Sequence, residues 1–202
     1  MAASYVKYLE SSGARVVPVP VGLSDEKIEE IFHGVNGVIF PGGGVKWDLS
    51  VQGYYKHATK FVELARAAND NGDYFPVWGT CLGFQTLHVI IAGGRPEILS
   101  SGFASEDISI PLNFKDDPKK TRMFEEMSEE LLKSIGDEPV TYNHHQAGVT
   151  PETYQKETVL SDFFDVISTN EDLAGRTFIS TVEGSEFHIR KILIVLTIFL
   201  KI

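Results

Sequence analysis

Cysteine, basic residues and long apolar runs are all scarce in this sequence of 202 residues. The one cysteine, Cys81, excludes an internal disulfide and therefore the small scaffolds that depend on disulfides. The 28 acidic residues outnumber the 18 basic ones, so the chain lacks the positive surface that nucleic acid requires, and we expect no nucleic-acid partner. The longest apolar run, Ile192 to Leu200, is about half the roughly 20 residues of a membrane-spanning helix, so we expect no membrane anchor.

The two ends of the chain differ from its centre. The N-terminus has no basic segment leading into an apolar core, so we do not interpret it as a signal peptide. At the other end, residues 190–202 contain three of the 18 basic residues and none of the acidic ones. This segment is either a buried terminal strand or an aggregation-prone run outside the fold.

The remaining sequence predicts one α/β domain without repeats or linkers. Strands alternate with helices through the first ninety residues, which is typical of a parallel sheet covered on both faces, and the second half is richer in strands. Helices are predicted at about 2–12, 24–33, 54–69, 82–92 and 125–135. Strands are predicted at 15–20, 37–40, 75–78, 108–112 and 139–142, with an antiparallel pair at 163–168 and 177–181.

Cys81 lies in a Gly-x-Cys-x-Gly pentapeptide at a predicted junction between a strand and a helix. A nucleophile held on such a sharp turn crowds the residues two before and two after it, and glycine at 79 and 83 removes that clash. The helix that begins near Leu82 supplies backbone N–H groups that lower a thiol pKa and can bind an oxyanion. The alternative is a buried structural cysteine, but the flanking glycines favour a nucleophile.

A second glycine-rich turn follows the predicted strand at 37–40. Pro41, Gly42, Gly43 and Gly44 would lie at the same edge of the sheet as Cys81. Their amides could complete an oxyanion hole, although a triple glycine is also typical of a flexible loop.

Four segments of the chain together resemble the gamma-glutamyl hydrolases, which cleave folate polyglutamates and belong to the class I glutamine amidotransferase-like superfamily. The resemblance covers roughly residues 2 to 189, and the Cys81 segment is specific to that family. The segments are Phe40-Pro41-Gly42-Gly43, Gly72 to Phe84, Pro111-Leu112-Asn113-Phe114 and Phe178 to Gly184.

The resemblance implies a three-layer, flavodoxin-like α/β fold in which helices flank a mostly parallel sheet, with a β-rich extension. It implies that Cys81 attacks the γ-linked amide of folate poly-γ-glutamate and forms an acyl-enzyme, with no cofactor and no metal. The amides of Leu82, Gly42 and Gly43 match the oxyanion positions. His145 matches a second active-site histidine, with a surface-loop imidazole as the alternative, and His144 stands where the family more often has an aromatic residue.

Two family features do not occur in this sequence: a first buried strand and a Gln-Trp-His-Pro-Glu segment whose histidine is the general base. If the alignment is continued from Glu183, that histidine falls near Val195. We therefore expect residues 1–189 to form a truncated gamma-glutamyl hydrolase-like domain and residues 190–202 to be an unrelated apolar tail, from an isoform or a gene-model error. His188 is misplaced for the role of the base, and His33, His57 and His88 lie on predicted helices.

Three functions follow from these observations. The first is a cysteine hydrolase whose activity is reduced by the absent base. The second is a non-catalytic relative that binds folate polyglutamate or pairs with a full-length subunit, and the third is a glutaminase-type amidotransferase domain. The resemblance leaves a homodimer open and implies a vacuolar, lysosomal or extracellular location, although this chain shows no signal peptide.

Overall fold

The computed structural model describes residues 3–44 and 53–185, together with the backbone of residues 199–200. Its helices are α1 (Ala3–Ser11), α2 (Asp25–His33), α3 (Tyr54–Asp70), α4 (Leu82–Ile91), α5 (Glu129–Asp137), α6 (Pro151–Lys156) and α7 (Thr158–Phe163). Its strands are β1 (Val38–Phe40), β2 (Val77–Gly79), β3 (Ser100–Ile110), β4 (Asn113–Phe114), β5 (Thr141–Gly148), β6 (Phe164–Glu171), β7 (Thr177–Gly184) and β8 (Phe199–Leu200).

The described strands form three sheets, one parallel and two antiparallel. β1 and β2 pair in parallel, with Phe40 opposite Gly79. The other pairs are antiparallel: β3 with β5, β5 with β8, β4 with β6, and β6 with β7. The predicted α/β class with a β-rich second half is confirmed, and within the described ranges the parallel part consists of β1 and β2.

The main hydrophobic core joins the parallel pair to the helices around it. Ile28 of α2, Phe61 of α3 and Phe84 of α4 are almost completely buried in it. The same core continues into the second half of the chain through Leu160 and Ile179, so the parallel pair and the antiparallel strands share one apolar interior.

One predicted strand is absent and one predicted helix begins later than expected, each for a local reason. Residues 15–20 are not a strand, and Pro18 and Pro20 lack the N–H groups that a ladder needs. Helix α5 begins at Glu129 instead of residue 125, because the Ser128 side chain caps it by accepting a hydrogen bond from the Leu131 amide.

The predicted tail lies outside the described residues, except for the backbone of β8. That strand pairs with Thr141 and Tyr142 at the start of β5. The boundary between residues 189 and 190 therefore stays a prediction. No helix in the described ranges combines the length and apolar character needed to cross a bilayer.

His88 is a buried histidine whose two ring nitrogens are both used. Nδ1 lies 2.9 Å from the Phe84 carbonyl oxygen and Nε2 lies 2.7 Å from the Tyr154 hydroxyl oxygen. A carbonyl can only accept, so Nδ1 carries the proton and Nε2 accepts from Tyr154. His88 thus lies on a helix, as predicted, and both of its ring nitrogens are satisfied inside the fold.

We expect His88 to make the fold less stable in acid. Burial lowers the pKa of His88 to about 4, whereas an unfolded histidine titrates near 6.5. The unfolded state therefore binds more protons between these values, and stability is lost as the pH falls from about 6.5 through about 4. Replacing His88 with glutamine should reduce this loss by about 3 kcal/mol, measured by urea unfolding at about pH 7 and about pH 4.

His33→Gln is the matched control, since His33 is exposed on the last turn of α2. It should keep the wild-type difference between the two pH values. An unchanged difference in His88→Gln would contradict the assignment.

Candidate active site

Cys81 occupies a strained turn between β2 and α4. Its backbone has φ 52° and ψ −108°, and only one other non-glycine residue in the described ranges, Asp107, has a positive φ. Such a conformation is rare for residues with a side chain and costs of order 1–3 kcal/mol. The predicted sharp turn from strand to helix at Cys81 is present.

The glycines on either side of Cys81 are required by close backbone contacts. A Cβ at Gly83 would lie 2.0 Å from the Phe40 carbonyl oxygen, at the end of β1. A Cβ at Gly79 would lie 2.6 Å from Leu87 Cδ1 and 2.7 Å from the Gly83 carbonyl. The crowding therefore comes from β1 and α4 as well as from the turn itself. These contacts hold the Cys81 turn close to the ends of β1 and β2.

The Cys81 thiol is partly buried and faces two backbone amides. Burial raises the pKa of the Cys81 thiol, while the nearby backbone N–H groups of Leu82 and Gly43 act in the opposite direction. Two of the three amides predicted for the oxyanion hole thus lie near the thiol.

The third amide has a different partner in this structure. The Gly42 N–H donates to the hydroxyl oxygen of Tyr5 on α1, at 2.7 Å. Burial raises the pKa of Tyr5 to about 12, and the nearby Cys81 acts in the same direction. Sequence reasoning missed Tyr5, because a residue 37 positions before the glycine turn is brought there only by the packing of α1.

His145 lies on the inner face of β5 in an aromatic environment. Its ring centroid is 4.7 Å from that of Phe178 and 6.0 Å from that of Phe103, both in edge-on contacts. Neither ring nitrogen makes a hydrogen bond of normal geometry. Burial lowers the pKa of His145 to about 4, while the nearby backbone of Ala147 and the Asp172 carboxylate act in the opposite direction. The imidazole is therefore neutral near pH 7.

The strand that carries His145 touches the helix that follows Cys81. The Gln85 side chain, one turn into α4, donates to the Ala147 carbonyl oxygen at 2.8 Å. Ala147 is two residues beyond His145 and lies on the same face of β5. The structure thus brings these two elements together, although no hydrogen bond between His145 and Cys81 occurs among the described residues.

His144 points away from this site. Its side chain is exposed, stacks on Tyr142 and has Nδ1 3.1 Å from an oxygen of Asp107. The alternation along β5 therefore places the two neighbouring histidines in opposite environments.

Two other kinds of ligand site are a metal centre and a cavity apart from Cys81. The described ranges contain no group of three histidine, cysteine or acidic side chains that could hold a metal ion. A cavity of about 470 Å³ lies between α3 and the end of α4, at a place distinct from Cys81, and its lining includes Tyr55, Arg66 and Gly94.

Comparisons with known proteins point to one family. The family model described as Peptidase C26 matches residues 1–169. The chain is 44% identical to a mouse gamma-glutamyl hydrolase and 45% identical to the human one, over 93% of this chain and 57% of each relative. It is 38% identical to gamma-glutamyl hydrolase B of Dictyostelium discoideum, over 95% of this chain and 54% of the relative. The chain thus spans a little more than half the length of these curated relatives.

Proposed function

The chain belongs to the peptidase C26 family, and from that premise we propose that it is a cysteine hydrolase of γ-glutamyl amide bonds in folate poly-γ-glutamates. The observation that carries the proposal is Cys81 on its strained turn, with the Leu82 and Gly43 amides near the thiol. The similarity to gamma-glutamyl hydrolases supports the bond type. The folate substrate, a homodimer and a vacuolar, lysosomal or extracellular location stay predictions.

The proposed reaction has two steps at Cys81. The thiolate attacks the γ-carbonyl carbon, the C–N bond breaks, and the departing amine takes up a proton, which leaves a thioester on Sγ. Water then cleaves the thioester, releases the γ-carboxylate and restores the thiol. The Leu82 and Gly43 amides stabilise the negative oxygen of each tetrahedral intermediate, and Gly42 would contribute if its N–H left Tyr5.

Proton transfer from the thiol limits this reaction. Burial raises the pKa of the Cys81 thiol, and no imidazole in the described ranges is hydrogen-bonded to Sγ. General-base catalysis typically contributes about 10²–10⁴-fold, so we expect slow turnover unless substrate binding brings a base to the sulfur. We propose His145 as the second active-site histidine, because it is neutral near pH 7 and its strand contacts α4.

The raised pKa of the buried Cys81 thiol favours a second candidate, a non-catalytic protein that binds folate polyglutamate. A thiol held in its protonated form by burial is compatible with binding but not with rapid attack.

The test is glutamate release from pteroyl-pentaglutamate by the purified chain, compared with release of ammonia from free glutamine. We expect release from the γ-linked chain and a thioester on Cys81, detected by mass spectrometry after acid quenching. Tight binding of pteroyl-pentaglutamate without release would favour the non-catalytic candidate. Preferential release from glutamine would contradict both and favour a glutaminase.

A further inference from the structure

Three buried side chains on the inner face of β3 and β5 carry polar atoms without a partner. They are Ser105 Oγ, Asn143 Oδ1 and both ring nitrogens of His145. Ser105 and Asn143 are fully buried, and His145 is 5% exposed. Buried polar atoms in folded proteins are almost always hydrogen-bonded, so a group of four unpaired ones indicates a missing partner.

The strand register places these side chains next to one another. Ser105 is directly opposite His145, and Asn143 is two residues from His145 on the same face of β5. The two aromatic rings against His145, those of Phe103 and Phe178, offer it no hydrogen bond. The three polar side chains thus form one small polar patch in apolar surroundings, which we call the β5 cluster.

The chemistry of the β5 cluster defines its ligand. Asn143 Nδ2 donates to the Thr141 carbonyl oxygen, so its free Oδ1 needs a donor. The Ser105 hydroxyl and the N–H of a neutral His145 are donors that need an acceptor. A complementary ligand therefore presents acceptor oxygens beside an N–H group.

We infer that the β5 cluster of Ser105, Asn143 and His145 is a subsite for one glutamyl residue, whose α-carboxylate and amide N–H are attached to the same carbon. In this pose the carboxylate accepts from Ser105 and His145, and the amide donates to Asn143. The inference rests on the proposed function. The inference places one substrate residue next to α4, the helix that follows Cys81. The Gln85 side chain of α4 is hydrogen-bonded to Ala147 of β5, so the β5 cluster lies near that helix.

The charges around the β5 cluster permit an anion. Asp172 is the nearby carboxylate, and its oxygens accept the backbone N–H groups of Ala104, Ala174 and Arg176, which disperses its charge. The Arg176 guanidinium lies 4.2 Å from the centre of the Phe103 ring, which in turn contacts the His145 ring. Because the cluster is closed here, binding requires side chains to move aside, and association should be slower than diffusion.

The test measures binding without turnover. The full chain with Cys81→Ala is titrated with tetra-γ-glutamate and with an analogue whose α-carboxylates are replaced by carboxamides. Adding Ser105→Ala should weaken binding of tetra-γ-glutamate by roughly tenfold to hundredfold, the usual effect of losing a hydrogen bond to a charged group. The same substitution should have a much smaller effect on binding of the carboxamide analogue. Ser101→Ala, an exposed position on β3, is the control and should change neither affinity.

The effect of Ser105→Ala on folding can be measured separately from its effect on binding. The Ser105 hydroxyl has no partner, so its removal should leave the free energy of unfolding unchanged or higher. His145 ring signals in NMR spectra should shift when tetra-γ-glutamate binds. Equal affinities for Ser105→Ala and Ser101→Ala, with no shift of the His145 signals, would show that the cluster holds internal water only and would overturn the inference. Absence of glutamate release by the unmodified chain would instead refute the hydrolase.

Discussion

Replacing Cys81 with alanine is expected to abolish glutamate release from pteroyl-pentaglutamate, because no thioester can form without the thiol. No other cysteine in the 202 residues can replace the thiol. The amides of Leu82 and Gly43 would remain in place, since they belong to the backbone of the turn. The measurement is single-turnover glutamate release, with intact-mass detection of the thioester.

Measuring the stability of two Cys81 variants shows whether activity is lost with the nucleophile or with the fold. Alanine has a Cβ and keeps the strain at φ 52°, whereas Cys81→Gly would relieve it. The glycine variant should therefore be more stable than the alanine variant by about 1–3 kcal/mol, and both should be inactive. Glutamate release that survived in either variant would remove Cys81 from the mechanism.

Local patterns were sufficient to predict the turn at Cys81. Glycines at fixed spacing between an apolar strand and an apolar helix leave few other conformations. The structure shows the predicted sharp turn, with a positive φ at Cys81 and close contacts at both glycines. The helices over residues 24–33 and 54–69 are predictable for a similar reason, since the Ser24 cap of the first and the apolar periodicity of the second are local properties. Pro18 and Pro20 are also a local signal, and they disfavour a strand over residues 15–20.

Contacts between distant segments were not predictable in this way. Tyr5 reaches Gly42 across 37 positions, and Gln85 reaches Ala147 across 62. Nothing in the spacing of these residues distinguishes them from ordinary core or surface positions, because tertiary packing alone brings them together. The unpaired atoms of Ser105 and Asn143 are hidden for the same reason, since burial without a partner is a property of the folded chain.

Replacing Gly83 with alanine is expected to be the most damaging change of a single methyl group near the site. The added Cβ would lie 2.0 Å from the Phe40 carbonyl oxygen and 2.6 Å from its carbon, and both are backbone atoms that no rotamer change can move. Either β1 or the start of α4 must shift. We expect the free energy of unfolding to fall by roughly 3–5 kcal/mol, a large part of the 5–15 kcal/mol typical of a domain.

Gly136→Ala is the matched control for this prediction. Gly136 is also helical, but a Cβ there would meet Phe114 at 3.6 Å, an ordinary contact, so the variant should be unchanged or more stable by up to about 1 kcal/mol. If Gly83→Ala folds despite the clash, the shift of α4 should displace Cys81 from the Gly43 amide and lower kcat by about 10²-fold for a movement near 1 Å. Urea unfolding and glutamate release measured on both variants decide the matter. If Gly83→Ala were as stable as the wild type, β1 would not lie against the turn. The close contact proposed to position the thiol would then not exist.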